Sequence, residues 1–282
     1  MALTKARVVA GWEMLNITDH DINPPDFHWL MLAEGDSWFS LGSILGNNLI
    51  NQLHFQHSVL IAQTAMPGDT MEHMADWWSD ATLSRLVKGP QAWAFNAVLL
   101  SGGGNDLIDA IDAKFAGQRL LKKFAATDAP PQTPEDCVQA GQWQRFEAYL
   151  RENFRLFSQL LVTSQLNTQT PVFVHTYDVP TPNHTPATPF GKAWLLPALE
   201  AHNIPPALYQ PLTDHLFKKL GDVIRTLGLA NFHVIDTAGT LVPADSGATG
   251  DSNDWLNEIH PNAGGYAKLA ERWRQKIEAV LA

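Results

Sequence analysis

Short apolar runs that alternate with longer amphipathic stretches, from about residue 29 to the C-terminus, constrain this chain more than any other feature. A strand buried on both faces reads as one continuous apolar run, whereas a helix lying over it repeats its apolar residues every three or four positions. Alternation of the two is the pattern of strand–helix–strand units that build a parallel sheet. The runs His28–Glu34, Ser58–Gln63, Ala92–Leu100, Val172–Tyr177 and Phe232–Asp236 read as strands. Ser43–Leu53, Thr70–Leu86, Trp143–Leu161, Pro206–Leu227 and Ala263–Leu281 read as the helices between and after them. Five strands and five helices in strict alternation predict an α/β fold, a doubly wound three-layer α/β/α sandwich around a five-stranded parallel sheet.

The chain has 282 residues, 45% of them hydrophobic, which suits a single domain over residues 1–282. Two stretches interrupt the alternation. Residues 124–137, with Pro130, Pro131 and Pro134, sit in an insertion near 107–142; residues 178–206 are rich in Pro, Thr and His. Both are expected to lack regular elements and to form a lid or pocket walls. The first 25 residues support no placement. A net charge of −10 with no basic run argues against a nucleic-acid partner. The lone Cys137 cannot form an internal disulfide. No uncharged run approaches the ~18 residues of a membrane span, and residues 1–15 carry no apolar signal-peptide core, so the expected location is the cytoplasm. The histidines show no metal-ligand spacing, and no cofactor is expected. The sequence is silent on oligomeric state.

In doubly wound sheets ligands bind outside the carboxyl ends of the strands, so the segments just after each strand carry the chemistry. After the first comes Gly35-Asp36-Ser37-Trp38, where glycine permits a tight turn and Ser37 opens the next helical segment. Serine caps helices often, so this block alone says little. After the second strand comes Pro67-Gly68-Asp69, with an unshielded N–H at Gly68. After the third comes Gly102-Gly103-Gly104-Asn105-Asp106, whose glycines let the backbone curl close to a ligand and whose Asn105 offers an amide donor. The position that a dinucleotide fingerprint would fill with a third glycine is Leu107. Before the last helix stands His260-Pro261. A hydroxyl, two kinds of amide donor and an imidazole at one rim are the parts of acyl transfer.

These four blocks, in this order, resemble the SGNH (GDSL) hydrolases, a lipase and esterase family, over residues 29 to 282. The resemblance implies a flavodoxin-like topology, Ser37 as nucleophile and His260 as general base. It also implies an oxyanion hole made by the Ser37 N–H, the Gly68 N–H and the Asn105 side chain, and a small-molecule, lipid or glycan ester as substrate. Removal of O-acetyl groups from glycans uses the same blocks. No Gly-x-Ser-x-Gly occurs, which sets aside the other α/β-hydrolase fold.

One position departs from the family. Where it places an aspartate three residues before the histidine, this chain has Asn257. Three groups could then orient the imidazole: Asp254, the Asn257 carbonyl oxygen, or backbone carbonyls. Asp254 is preferred, because a carboxylate best stabilises the imidazolium that forms. Loss of the acid altogether would leave a ligand-binding relative without catalysis.

Overall fold

A computed structural model describes residues 2–17, 22–41, 48–76, 80–112, 119–186 and 192–282. Its sheet has six strands: β1 (Arg7–Ala10), β2 (Trp29–Gly35), β3 (Val59–Gln63), β4 (Ala97–Ser101), β5 (Val172–His175) and β6 (Phe232–Ile235). Their spatial order is β1-β3-β2-β4-β5-β6, and every pairing is parallel. Every residue of β2, β4 and β5 is buried, which requires helices over both faces and gives the three layers. Without β1 the order is the flavodoxin-like 2-1-3-4-5. Its direction therefore reverses between β2 and β4, and a crevice opens at their carboxyl ends.

The five expected strands are present with trimmed ends, and β1 is a sixth that the sequence did not reveal. It is only four residues long and partly exposed at the sheet edge, so its apolar run, Val8–Ala10, is too short to mark a strand. The helices α1 (Gly11–Leu15), α2 (Ser37–Ser40), α3 (Met71–Ala75), α4 (Ala81–Val87) and α5 (Gly104–Asp112) occupy the first half. The second half holds α6 (Pro134–Cys137), α7 (Gln142–Val162), α8 (Leu195–Ala201), α9 (Tyr209–Arg225) and α10 (Ala263–Leu281).

The long helices α7 and α10 lie where the periodicity places them. The helix expected over Thr70–Leu86 is instead two, because Thr70 caps α3 and Asp80 caps α4 with a 2.8 Å bond from Leu83 N; residues 77–79 lie outside the described residues. Of the one expected over Ser43–Leu53, residues 43–47 lie outside them too, and Ile50–Gln52 form a 3-10 turn. A similar turn at Pro206–Leu208 leads into α9.

Both proline-rich stretches contain helices, contrary to expectation. Pro134 is the first residue of α6, behind a Thr133 capping box, and Pro197 lies in the first turn of α8. Proline is tolerated there because the N–H it lacks would have had no partner within the helix. The glycine run before Asn105 hid α5 in the same way, by reading as a turn alone. Among the described residues no helix is long and apolar enough to cross a membrane.

Candidate active site

The turn after β2 is built around close backbone approach. A side chain on Gly35 would put Cβ 2.7 Å from the carbonyl oxygen of Ser101 on β4, so only glycine lets the two strands pair this tightly. Asp36 then caps α2, accepting from Trp38 N at 2.9 Å. Its carboxylate also accepts from Ser101 Oγ at 2.8 Å and from the Tyr177 hydroxyl. Burial raises the Asp36 pKa to about 6 against these three donors. Ser37 is the first helical residue, so its N–H is one the helix leaves unused.

His260 reaches this turn from the loop before α10. Its Nε2 lies 2.8 Å from Ser37 Oγ, joining residues 223 positions apart. The ring is buried, and burial lowers its pKa to about 4, so it is neutral at pH 7. Trp38 couples the two segments by donating from Nε1 to Ile259 O at 3.1 Å.

The other ring nitrogen, Nδ1, lies 3.0 Å from Asn257 Oδ1. That oxygen also accepts from Ile259 N at 3.1 Å and His260 N at 2.9 Å. Main-chain N–H groups can only donate, so the atom they face must be the carbonyl oxygen and not the amide nitrogen. An acceptor opposite Nδ1 places the ring's single proton on Nδ1 and leaves the lone pair on Nε2, facing the serine. Asn257 thus fixes the tautomer that a general base needs, without supplying a charge.

Asp254 is not at the imidazole, which corrects the preferred assignment. Its carboxylate accepts from Lys268 Nζ at 2.6 and 2.8 Å and from Val242 N at 2.7 Å. Burial opposes its ionisation, but the ammonium and the N–H outweigh it and the pKa is lowered. A charge already satisfied by a cation on α10 has no reason to turn toward a neutral ring.

Two contributors were missed. Glu258, fully buried, accepts from the N–H groups of Asn183 (3.3 Å), Trp194 (2.6 Å), Leu195 (2.8 Å) and Leu196 (2.8 Å). It ties the histidine loop to the segment leading into α8. A single acidic residue in an otherwise uncharged stretch, Trp255 to Pro261, was the available signal. Tyr177 ends the run Val172–Tyr177 that reads as the fourth strand. Its hydroxyl holds Asp36, and its ring packs so close to Gly104 that a Cβ there would fall 2.9 Å from Cε1.

Asn105 starts the second turn of this site. Its Nδ2 donates to Asp69 O at 2.9 Å, which orients the amide and leaves the second hydrogen of that nitrogen uncommitted to this bond. Gly68 sits in the exposed turn just before Asp69, with φ +87°. Ser37, Trp38, Asn105 and Tyr177 line one small cavity. Among the described residues no three His, Cys, Asp or Glu side chains gather as a metal would require.

The strand order and the position of this crevice define a doubly wound α/β fold of flavodoxin-like topology. A provisionally named platelet activating factor from Streptococcus pneumonia is similar with a TM-score of 0.52 at 10% identity, over 95% of this chain and 90% of that one. A provisionally named GDSL-like lipase from Parabacteroides merdae has a TM-score of 0.47 at 12% identity, over 90% and 96%. An acetylxylan esterase from Geobacillus stearothermophilus has a TM-score of 0.43 at 14% identity, over 89% and 94%. At 10% identity the first of these likenesses is one of fold alone. No family model and no curated protein matches the sequence.

Proposed function

We propose that this protein is a serine hydrolase of carboxylic esters, with Ser37 as nucleophile and His260 as general base. The observation that carries this reading is the 2.8 Å contact between Ser37 Oγ and His260 Nε2, on a ring whose other nitrogen is held by an acceptor. Nucleophile, base and orienter in hydrogen-bonding sequence are the arrangement that activates a serine.

Ser37 Oγ attacks the ester carbonyl carbon while its proton passes to Nε2. The carbonyl electrons move onto oxygen, which the N–H groups of Ser37 and Gly68 and the Asn105 amide receive. Collapse of this intermediate breaks the bond to the alcohol oxygen, which takes the proton from Nε2 and leaves. Water then gives a proton to Nε2 as it attacks the acyl carbonyl, and collapse breaks the bond to Ser37 Oγ, which recovers that proton from Nε2 as the acid leaves.

A neutral imidazole at pH 7 suits the first step. The imidazolium formed next is stabilised by the dipole of Asn257 alone, so turnover is slower than a charged triad would support. Measuring kcat/KM on p-nitrophenyl acetate for the wild type and for Ser37→Ala tests the reading. Loss of turnover with an unchanged melting temperature supports it, and equal rates refute it.

A further inference from the structure

We propose that the cavity beside Ser37 is the acyl subsite, and that it admits an acetyl group and little more, with Ile108 and Phe217 setting the limit. This deepens the ester-hydrolase reading and rests on it.

The direction of the chemistry assigns the cavity. The alcohol takes its proton from His260 and so departs on that side, while the oxyanion lies against Asn105. The third substituent of the carbonyl carbon is the acyl group. The cavity is lined by Ser37 and Asn105 and walled by Ile108, Tyr177, Pro180 and Phe217, and it meets the histidine loop at Ile259.

Its volume is about 20 Å³. A single water needs roughly 10–15 Å³ on the same measure, and a cavity that takes benzene measures about 150 Å³. A methyl group fits the shielded space beside Ser37, and a butyryl chain would have to leave it through its open side. A larger cleft of about 530 Å³ lies along Glu72, Asp109 and Arg145 and shares no lining residue with it.

The walls also resist swelling. Ile108 stands on α5 and Phe217 on α9, each only 7% exposed. Tyr177 is pinned by its hydroxyl to Asp36, and Pro180 O accepts from Gln210 Nε2 at 3.3 Å. Close-packed walls on regular elements do not move aside for an extra methylene without strain.

The test is a series of p-nitrophenyl esters from acetate to octanoate. The wild type is expected to lose roughly tenfold or more in kcat/KM at butyrate relative to acetate, and more again at octanoate. Phe217→Ala and the milder Phe217→Leu and Ile108→Val are expected to raise butyrate relative to acetate. The ratio within one variant is independent of how much of it folds. As a second readout, methanesulfonyl fluoride should inactivate the wild type faster than phenylmethanesulfonyl fluoride does. A flat or rising chain-length profile, or ratios unmoved in all three variants, would overturn the acetyl limit while leaving the hydrolase reading in place. Absence of Ser37-dependent cleavage of every ester would instead overturn that reading, and this inference with it.

Discussion

Replacing Asn257 by aspartate puts a charge opposite His260 Nδ1, and its effect can be worked from the geometry. Asn257 Oδ1 already accepts from Ile259 N, His260 N and His260 Nδ1, so a carboxylate there inherits three donors. A unit negative charge roughly 4 Å from the imidazolium contributes about 4 kcal/mol at an effective dielectric of about 20. That equals about 3 pKa units on the ring, or ~10³ in rate if all of it is realised in the transition state. Burying the new carboxylate consumes part of the gain. Asn257→Asp is therefore expected to raise kcat/KM on p-nitrophenyl acetate by roughly 10- to 10³-fold near pH 8. The acid limb of the pH profile should move with it. A base works only when unprotonated, so activity falls as pH drops through the His260 pKa; that limb lies near 4 in the wild type. In Asn257→Asp it should rise to roughly 6–7. The assay is kcat/KM from pH 4 to 9 for both proteins. An unchanged limb together with an unchanged rate would refute the view that Asn257 orients the ring by a neutral dipole.

Asn105→Ala should lower kcat by ~10²–10³ through loss of an oxyanion donor, measured by steady-state kinetics. Asp254→Ala should leave kcat within a few-fold of wild type and instead lower stability by about 1–3 kcal/mol in urea unfolding, because it strands Val242 N and Lys268. A large loss of kcat in a folded Asp254→Ala protein would restore that residue as the orienter. Glu258→Ala leaves four main-chain donors, three of them buried, without this acceptor and should cost about 3 kcal/mol or more on the same assay.

The fold was legible where burial is two-sided. Strands such as Trp29–Gly35 and Ala97–Ser101 are continuous apolar runs up to Glu34 and Ser101 at their carboxyl ends, and α7 and α10 repeat their apolar faces over many turns. It was illegible where structure depends on partners distant in sequence. Arg7–Ala10 becomes a strand only because Leu60 to Gln63 pair with it, and proline disguised α6 and α8 while opening them. The site shows the same division. Ser37, Asn105 and His260 could be named as candidates because each belongs to a local block at the rim of one sheet, and the structure sets Ser37 2.8 Å from His260. The role of Asn257 was left as one of three alternatives, because a charge argument favours a carboxylate and only coordinates reveal that Asp254 is already paired with Lys268. Glu258 and Tyr177 act across 62 to 141 positions of sequence, where no local pattern records the contact.

Mass spectrometry after incubation with a fluorophosphonate at pH 7 asks whether the hydroxyl of Ser37 is activated by the ring 2.8 Å away. The account predicts one adduct, on the peptide containing Ser37, formed rapidly in the wild type, slowly in His260→Ala and not at all in Ser37→Ala. An unmodified wild type, or an adduct formed equally fast without His260, would contradict it.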